Sequence, residues 1–219
     1  MRVIVACSGS QVKWAGHLGV PSHLVPDQDG VPILHRTIAQ AGRLFGADVH
    51  VLAPIGDDRY RVPGAVTHGI GYAPSEYGAS RPWWNDHGRT VLLLGDVWFT
   101  DQAMATVAAR PEQQYRAFGR YGRSTVTGTP YGEIFAISWW PAQHKALDRH
   151  LATVHELRAS GKSNRPPGWL LLRLVQGSPV TRHLVKAPWW VEVDDLTDDL
   201  DAAVDYDRHP SFGGNSASR

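Results

Sequence analysis

The residue with the most chemical promise is Asp96. It lies in the run Leu92-Leu93-Leu94-Gly95-Asp96-Val97, where a strongly apolar strand breaks at Gly95-Asp96. In open α/β sheets, ligands bind beyond the carboxyl ends of the strands, and an Asp there can hold Mg²⁺ against phosphate oxygens. A second feature is the loop Cys7-Ser8-Gly9-Ser10-Gln11-Val12-Lys13-Trp14, which follows the first apolar run. A glycine-containing loop in that place offers backbone N–H groups to phosphates. A third is the stretch from 192 to 207, with eight acids (Glu192, Asp194, Asp195, Asp198, Asp199, Asp201, Asp205 and Asp207) and no Lys or Arg. The remaining chain carries nine more basic than acidic residues, although the net charge is only +1. A basic body with one acidic cluster suits a metal and a polyphosphate better than duplex DNA; a solvated acidic loop is the plainer reading.

These residues need a scaffold, and the sequence outlines one. Arg2–Ala6, 48–53 and Thr90–Leu94 read as buried strands, with a further strand at 65–67. Between the first two, Ile33, Leu34, Ile38, Ala41, Leu44 and Phe45 recur at helical spacing; Pro32 suits the first turn and Gly46 the end. Thr100-Asp101 can cap a helix over 103–109. Strands are expected at 115–119, 134–138 and 189–193, and a helix from Pro141 to Arg158. Residues 160–168 read as a loop, and 169–175 as a short helix or strand. Alternating strands and helices with continuous apolar strands predict a parallel sheet covered on both faces. The three Trp-Trp pairs (Trp83-Trp84, Trp139-Trp140, Trp189-Trp190) are expected to fill core and sheet edges, the alternative being stacking on a sugar or base.

Composition narrows the classes further. With 219 residues, 42% hydrophobic and 20% charged, the chain can bury a sizeable core in one domain. No apolar run approaches a membrane span, and the first apolar stretch is too short for a signal peptide, so the cytoplasm is the expected compartment. A single cysteine excludes a disulfide scaffold, and the eleven histidines form no His-x-x-x-His pair, which argues against zinc. Ser160-Gly161-Lys162-Ser163 lacks the upstream glycine and preceding strand of a P-loop. There is no direct sign of nucleic-acid binding.

Taken in order, the motifs resemble the nucleotidyltransferase branch of the GT-A fold, the family of the sugar-phosphate nucleotidylyltransferases. Its glycine-rich signature is similar to Cys7 to Lys13; its Pro-Lys-x-Leu-x-Pro segment to Pro21-Ser22-His23-Leu24-Val25-Pro26; and its Gly-x-Pro-Leu to Gly30-Val31-Pro32-Ile33-Leu34. The metal-binding Gly-Asp resembles Gly95-Asp96, and the C-terminal acidic segment resembles Asp199 to Tyr206. Tyr131-Gly132-Glu133 falls only loosely into the pattern, with Glu133 either touching a sugar hydroxyl or lying on a surface strand. The resemblance implies a single-domain, GT-A/Rossmann-like three-layer sandwich with a mostly parallel sheet over residues 1–207, and a flexible tail over 208–219. It implies Mg²⁺ or Mn²⁺ on Asp96 with Asp199 or Asp201, and Gly9, Ser10, Gln11 and Lys13 around the nucleotide phosphates. Lys13 and Asp96 would be the catalytic residues. A plainer use of Asp199 or Asp201 is to cap a last helix beginning near Thr197.

The departures are specific. Gln11 stands for the second loop glycine, Lys13 for an Arg, and Ser22 for the Pro-Lys lysine. Loss of a cation at a transferring phosphate costs on the order of 10²–10³ in rate, which Lys13, Arg36 or Arg81 would have to offset. Three functions therefore stand side by side. One is a Mg²⁺-dependent nucleotidyltransferase acting on a nucleoside triphosphate and a small phosphorylated, sugar-like substrate. The others are a glycosyltransferase using a nucleotide sugar, which would not need the lysine, and a non-catalytic nucleotide-binding protein.

Overall fold

A computed structural model describes residues 1–9, 12–71, 75–109 and 112–212. Its strands are β1 (Arg2–Ala6), β2 (Asp48–Pro54), β3 (Val66–Ile70), β4 (Thr90–Leu94), β5 (Val97–Trp98), β6 (Arg116–Arg120), β7 (Glu133–Trp139), β8 (Trp190–Glu192) and β9 (Asp198–Asp199). Its α-helices are α1 (Ile33–Phe45), α2 (Glu76–Ala79), α3 (Asp101–Ala108), α4 (His144–Ala159), α5 (Pro167–Val175) and α6 (Ala203–Arg208). Seven strands form one sheet in the order β3-β2-β1-β4-β7-β6-β8. Within it β7 alone is reversed, pairing antiparallel with both β4 and β6. The fold is thus the expected α/β domain with a mostly parallel central sheet.

Strand alternation divides the core. Along β1, Val3 and Val5 enter one apolar layer, with Leu34, Ile38 and Ala41 of α1 and Met104 and Val107 of α3. Ile4 and Ala6 enter the opposite layer, with Leu147 and Val154 of α4 and Leu170 to Leu172 of α5. Both faces are covered, so the strands are apolar on both sides, as parallel strands usually are. The α1 boundaries follow local chemistry: Pro32 sits at the start, and Gly46 ends the helix at φ 53°. Thr100 caps α3 by accepting a hydrogen bond from the Ala103 N–H at 2.9 Å. In each Trp-Trp pair one ring is buried (Trp84, Trp139, Trp190) and its neighbour is half-buried.

The structure resolves some readings and corrects others. The 169–175 segment is helical and begins at Pro167, a residue preorganised for a first helical turn. The last helix starts at Ala203 rather than near Thr197, and Asp205 caps it by accepting from the Ala202 N–H at 2.9 Å. Packed chain continues beyond residue 207: His209 is fully buried, and Phe212 lies edge-on to Trp98 at 5.0 Å. Residues 213–219 lie outside the described residues. Among the described residues, no helix is long and apolar enough to cross a membrane.

Candidate active site

The site forms where β1 and β4, adjacent and parallel, both end. Ala6 pairs with Leu94, and the Gly95 N–H donates to the Ala6 carbonyl at 2.9 Å. Gly95 is required there because a Cβ would lie 2.4 Å from Cys7 Sγ and 2.8 Å from the Ala6 oxygen. Gly95→Ala is expected to destabilise the fold by about 1–3 kcal/mol, as overpacked cores do. Urea unfolding should show the midpoint falling with the slope unchanged.

Immediately after Gly95-Asp96, β5 pairs antiparallel with β9, placing Val97 opposite Asp199 and Trp98 opposite Asp198. The Leu200 N–H donates to the Asp96 carbonyl at 2.9 Å. This two-stranded ribbon carries the C-terminal acids to Asp96. Side chains alternate along an extended segment, so neighbouring acids go separate ways. Asp199 and Asp201 line the cavity beside Asp96. Asp198 is fully buried instead, accepting from Ser124 Oγ at 2.6 Å and Thr127 Oγ1 at 2.7 Å, with Arg120 Nη1 at 2.9 Å.

The cavity holds about 620 Å³. Five carboxylates line it (Glu76, Asp96, Glu133, Asp199 and Asp201), against the cations Lys13 and Arg165. Apolar walls come from Tyr77, Tyr131 and Trp169. Lys13 Nζ lies 2.5 Å from Asp201 Oδ2 in a solvent-exposed pair. Gly9 is on the wall, and Glu76 Oε1 occupies the space its Cβ would take, at 2.2 Å. Ser10 and Gln11 lie outside the described residues. A smaller cleft of about 410 Å³ shares Lys13, Asp96 and Asp201, and adds Ser22, Arg158 and Asn164.

Burial sets the electrostatics. The Asp96 carboxyl is pushed up to about 7, first by desolvation and then by Asp201, Glu76 and Glu133. Asp199 is raised well above the usual carboxylate range, and Glu133 to about 7, each by burial and by acidic neighbours. Asp199 Oδ1 is buried with no hydrogen-bond partner. Glu133, Asp198 and Asp199 bring carboxylate oxygens within 4.8 Å of one another. Arg120 already neutralises two of the three, contacting Glu133 at 2.8 Å and Asp198 at 2.9 Å. That leaves Asp199 as the member with an open oxygen.

His23, from the segment before α1, also lines the cavity, and its Nδ1 is 3.0 Å from Tyr60 Oη. Burial lowers its pKa to about 3. The unfolded chain binds a proton at His23 below about pH 6.5 that the folded chain refuses, so this contribution is full above 6.5 and lost as pH falls towards 3. Wild type should therefore lose about 1.4 kcal/mol of stability per pH unit more steeply than His23→Gln in that window. Urea titrations of both proteins between pH 7 and 4.5 measure the difference.

Gly9, Lys13, Asp96, Asp199 and Asp201, picked from distant parts of the sequence, share this one cavity. Arg36 and Arg81 do not join them. Arg36 stacks over Trp98 at 4.2 Å and faces Asp101, while Arg81 pairs with Asp148 at 2.7 Å. The sequence reading passed over Glu76, Arg120 and Arg158. They come from α2, β6 and α4, and only tertiary packing, not a local motif, brings them to this region.

The fold has clear counterparts among solved structures. A Bacillus anthracis protein provisionally assigned as a glucose-1-phosphate thymidylyltransferase, solved with a sucrose, superposes with a TM-score of 0.61 at 13% identity, over 98% of this chain and 96% of that one. The chain shares the fold of the sugar-phosphate nucleotidyltransferases. The inositol-1-phosphate CTP transferase of T. maritima, another protein with this nucleotidyltransferase fold, gives a TM-score of 0.56 at 14% identity, over 93% and 90% of the two chains. A protein from Mycobacterium sp. strain JC1, a homologue of one in Mycobacterium tuberculosis, gives 0.57 at 19%, over 94% and 93%. No protein-family model matches the chain, and no curated protein matches it by sequence.

Proposed function

We propose that this protein is a divalent-metal-dependent nucleotidyltransferase that joins a nucleotide to a small phosphorylated, sugar-like acceptor and releases pyrophosphate. One observation carries the reading: Asp96, Asp199 and Asp201 converge on a cavity at the carboxyl ends of β1 and β4. The fold shared with sugar-phosphate nucleotidyltransferases supports the same class. A bare triphosphate would meet these acids unfavourably once they ionise, and a cation held among them would offset their charge. The donor set fits Mg²⁺, a hard ion that takes one or two carboxylates and leaves the rest of its shell to water and phosphate. Asp96 and Asp199 would hold it, the latter through its buried, unpartnered Oδ1. When bound, the ion supplies charge neutralisation at the phosphate oxygens.

The chain's own residues do the positioning. Lys13, held at the rim by Asp201, has an exposed ammonium that a phosphate can recruit. Gly9 leaves room for the Glu76 carboxylate to pack against the loop backbone. Tyr77, Tyr131 and Trp169 give flat apolar surfaces for a base or sugar ring. An oxygen of the acceptor phosphate attacks the α-phosphorus; the new P–O bond forms as the α–β bridge breaks, and pyrophosphate leaves with the electron pair. The attacking oxygen is already largely deprotonated at pH 7, because the second phosphate pKa is about 6. No side chain is required as a general base.

The test is a matrix of the nucleoside triphosphates against hexose 1-phosphates and polyol phosphates, with Mg²⁺, read as pyrophosphate release. Release with one pair supports the reading. Nucleoside diphosphate released from a nucleotide sugar would move the assignment to a glycosyltransferase. A protein that neither turns over any pair nor shows a Mg²⁺-dependent thermal shift with any nucleotide overturns it.

A further inference from the structure

The two clefts meet at Lys13, Asp96 and Asp201 but differ in what each adds. The larger adds aromatic rings together with Glu76, Glu133 and Asp199. The smaller adds no acid: beyond the shared residues and the two prolines 166 and 167, its lining is Val12, Ser22, Arg158 and Asn164. Arg158 lies in the last turn of α4 and is exposed. Among the described residues, the structure gives its guanidinium no hydrogen bond or ion pair. The other cations considered for the site are engaged: Lys13 with Asp201, Arg36 with Asp101, and Arg81 with Asp148. Arg165 faces the larger cavity and donates to the Thr181 carbonyl at 2.9 Å.

We infer that the smaller cleft takes the pyrophosphate end of the bound triphosphate, with Arg158 as its cation and Asn164 as a neutral donor. Arg158, the shared Lys13 and the Asn164 amide face the two shared acids Asp96 and Asp201 there, and a guanidinium fork binds phosphate oxygens in pairs. The aromatic cleft then holds the nucleoside and acceptor, and the scissile phosphate lies at the junction, beside Asp96. The same cleft contains Ser22, where the resemblance expects a lysine. Arg158 reaches it from a different element and supplies the charge that Ser22 lacks.

This inference rests on the nucleotidyltransferase reading, and calorimetric titration of the full chain with Mg²⁺ and inorganic pyrophosphate separates the two. Arg158→Ala should weaken binding about 10–100-fold, the value of a charge-assisted hydrogen bond or two. Arg158→Lys should stay within a few-fold of wild type, and Ser22→Lys should restore much of the loss when added to Arg158→Ala. A merely structural role at the end of α4 would change the melting temperature and leave the affinity alone. If wild type binds, Asp96→Asn does not, and Arg158→Ala binds as wild type does, the parent reading stands and the assignment of Arg158 falls. If wild type binds neither Mg²⁺-pyrophosphate nor any Mg²⁺-nucleotide, both fall.

Discussion

Asp96→Asn is expected to lower pyrophosphate release about 10²–10³-fold while making the metal-free protein more stable. The first half follows from chemistry: an amide cannot supply the negative charge that holds a divalent ion among phosphates, and losing one such preorganised element costs about 10²–10³ even when the rest of the site survives. The second follows from position. Asp96 sits among Glu76, Glu133 and Asp201, and burial together with these neighbours raises its carboxyl to about 7. Its charged form is therefore disfavoured in the folded chain relative to the unfolded one. Asn keeps the shape and removes that penalty, for a gain on the order of 2–4 kcal/mol in chelator at pH 8. Functional sites often trade stability in this way. Urea unfolding with EDTA and with Mg²⁺ checks both halves: wild type should gain stability from the metal with nucleotide present, and the variant should not. A variant that is less stable without metal, or that keeps its Mg²⁺ response, would contradict the assignment.

The parts of this molecule legible in the sequence are those whose signal is local. Thr90–Leu94 announces a buried strand by its apolar run, and Gly95-Asp96 announces its end by composition alone. Pro32 and Gly46 bracket α1 at the two helix positions where those residues are favoured. The β5–β9 ribbon was illegible because each strand has only two residues, too few for any periodicity to register. The acidic stretch consequently read as one cluster, whereas the ribbon gives its members opposite tasks. Asp198 turns inward to Arg120, Ser124 and Thr127, and Asp199 turns to the cavity. Alternation would have sorted them had the strand been visible. The reversed direction of β7 likewise depends on pairing partners far away in sequence. Arg158 has no signal in its own neighbourhood, for only the packing of α4 and α5 brings it to Ser22's side of the site.

The largest stability effect is expected at Arg120, near the end of β6. Its side chain is 4% exposed, and it contacts Glu133 Oε2 at 2.8 Å and Asp198 Oδ1 at 2.9 Å, while Nε donates to the Gly122 carbonyl at 3.3 Å. Those carboxylates come from β7 and β9, so one guanidinium ties the central sheet to the ribbon that carries Asp199. Removing a single partner from a buried ionic group leaves its charges uncompensated, a loss of about 3–5 kcal/mol. Arg120→Met, which keeps most of the apolar stem but loses the guanidinium over Phe135, should fall in that range by urea unfolding. Adding Asp198→Asn should recover part of the loss, since an amide still bonds Ser124 and Thr127 without a buried charge, and the cycle of single and double variants measures the coupling. Arg120→Lys should fall between the two, because one ammonium keeps the charge but loses the planar fork that meets two carboxylates at once. Site chemistry should weaken along with the fold, because β9 then loses its anchor and Asp199 its fixed place opposite Val97. A loss below about 1 kcal/mol for Arg120→Met would show that the ribbon is held mainly by its apolar contacts, Leu200 with Trp98 and Trp14, and that the ionic cluster adds little.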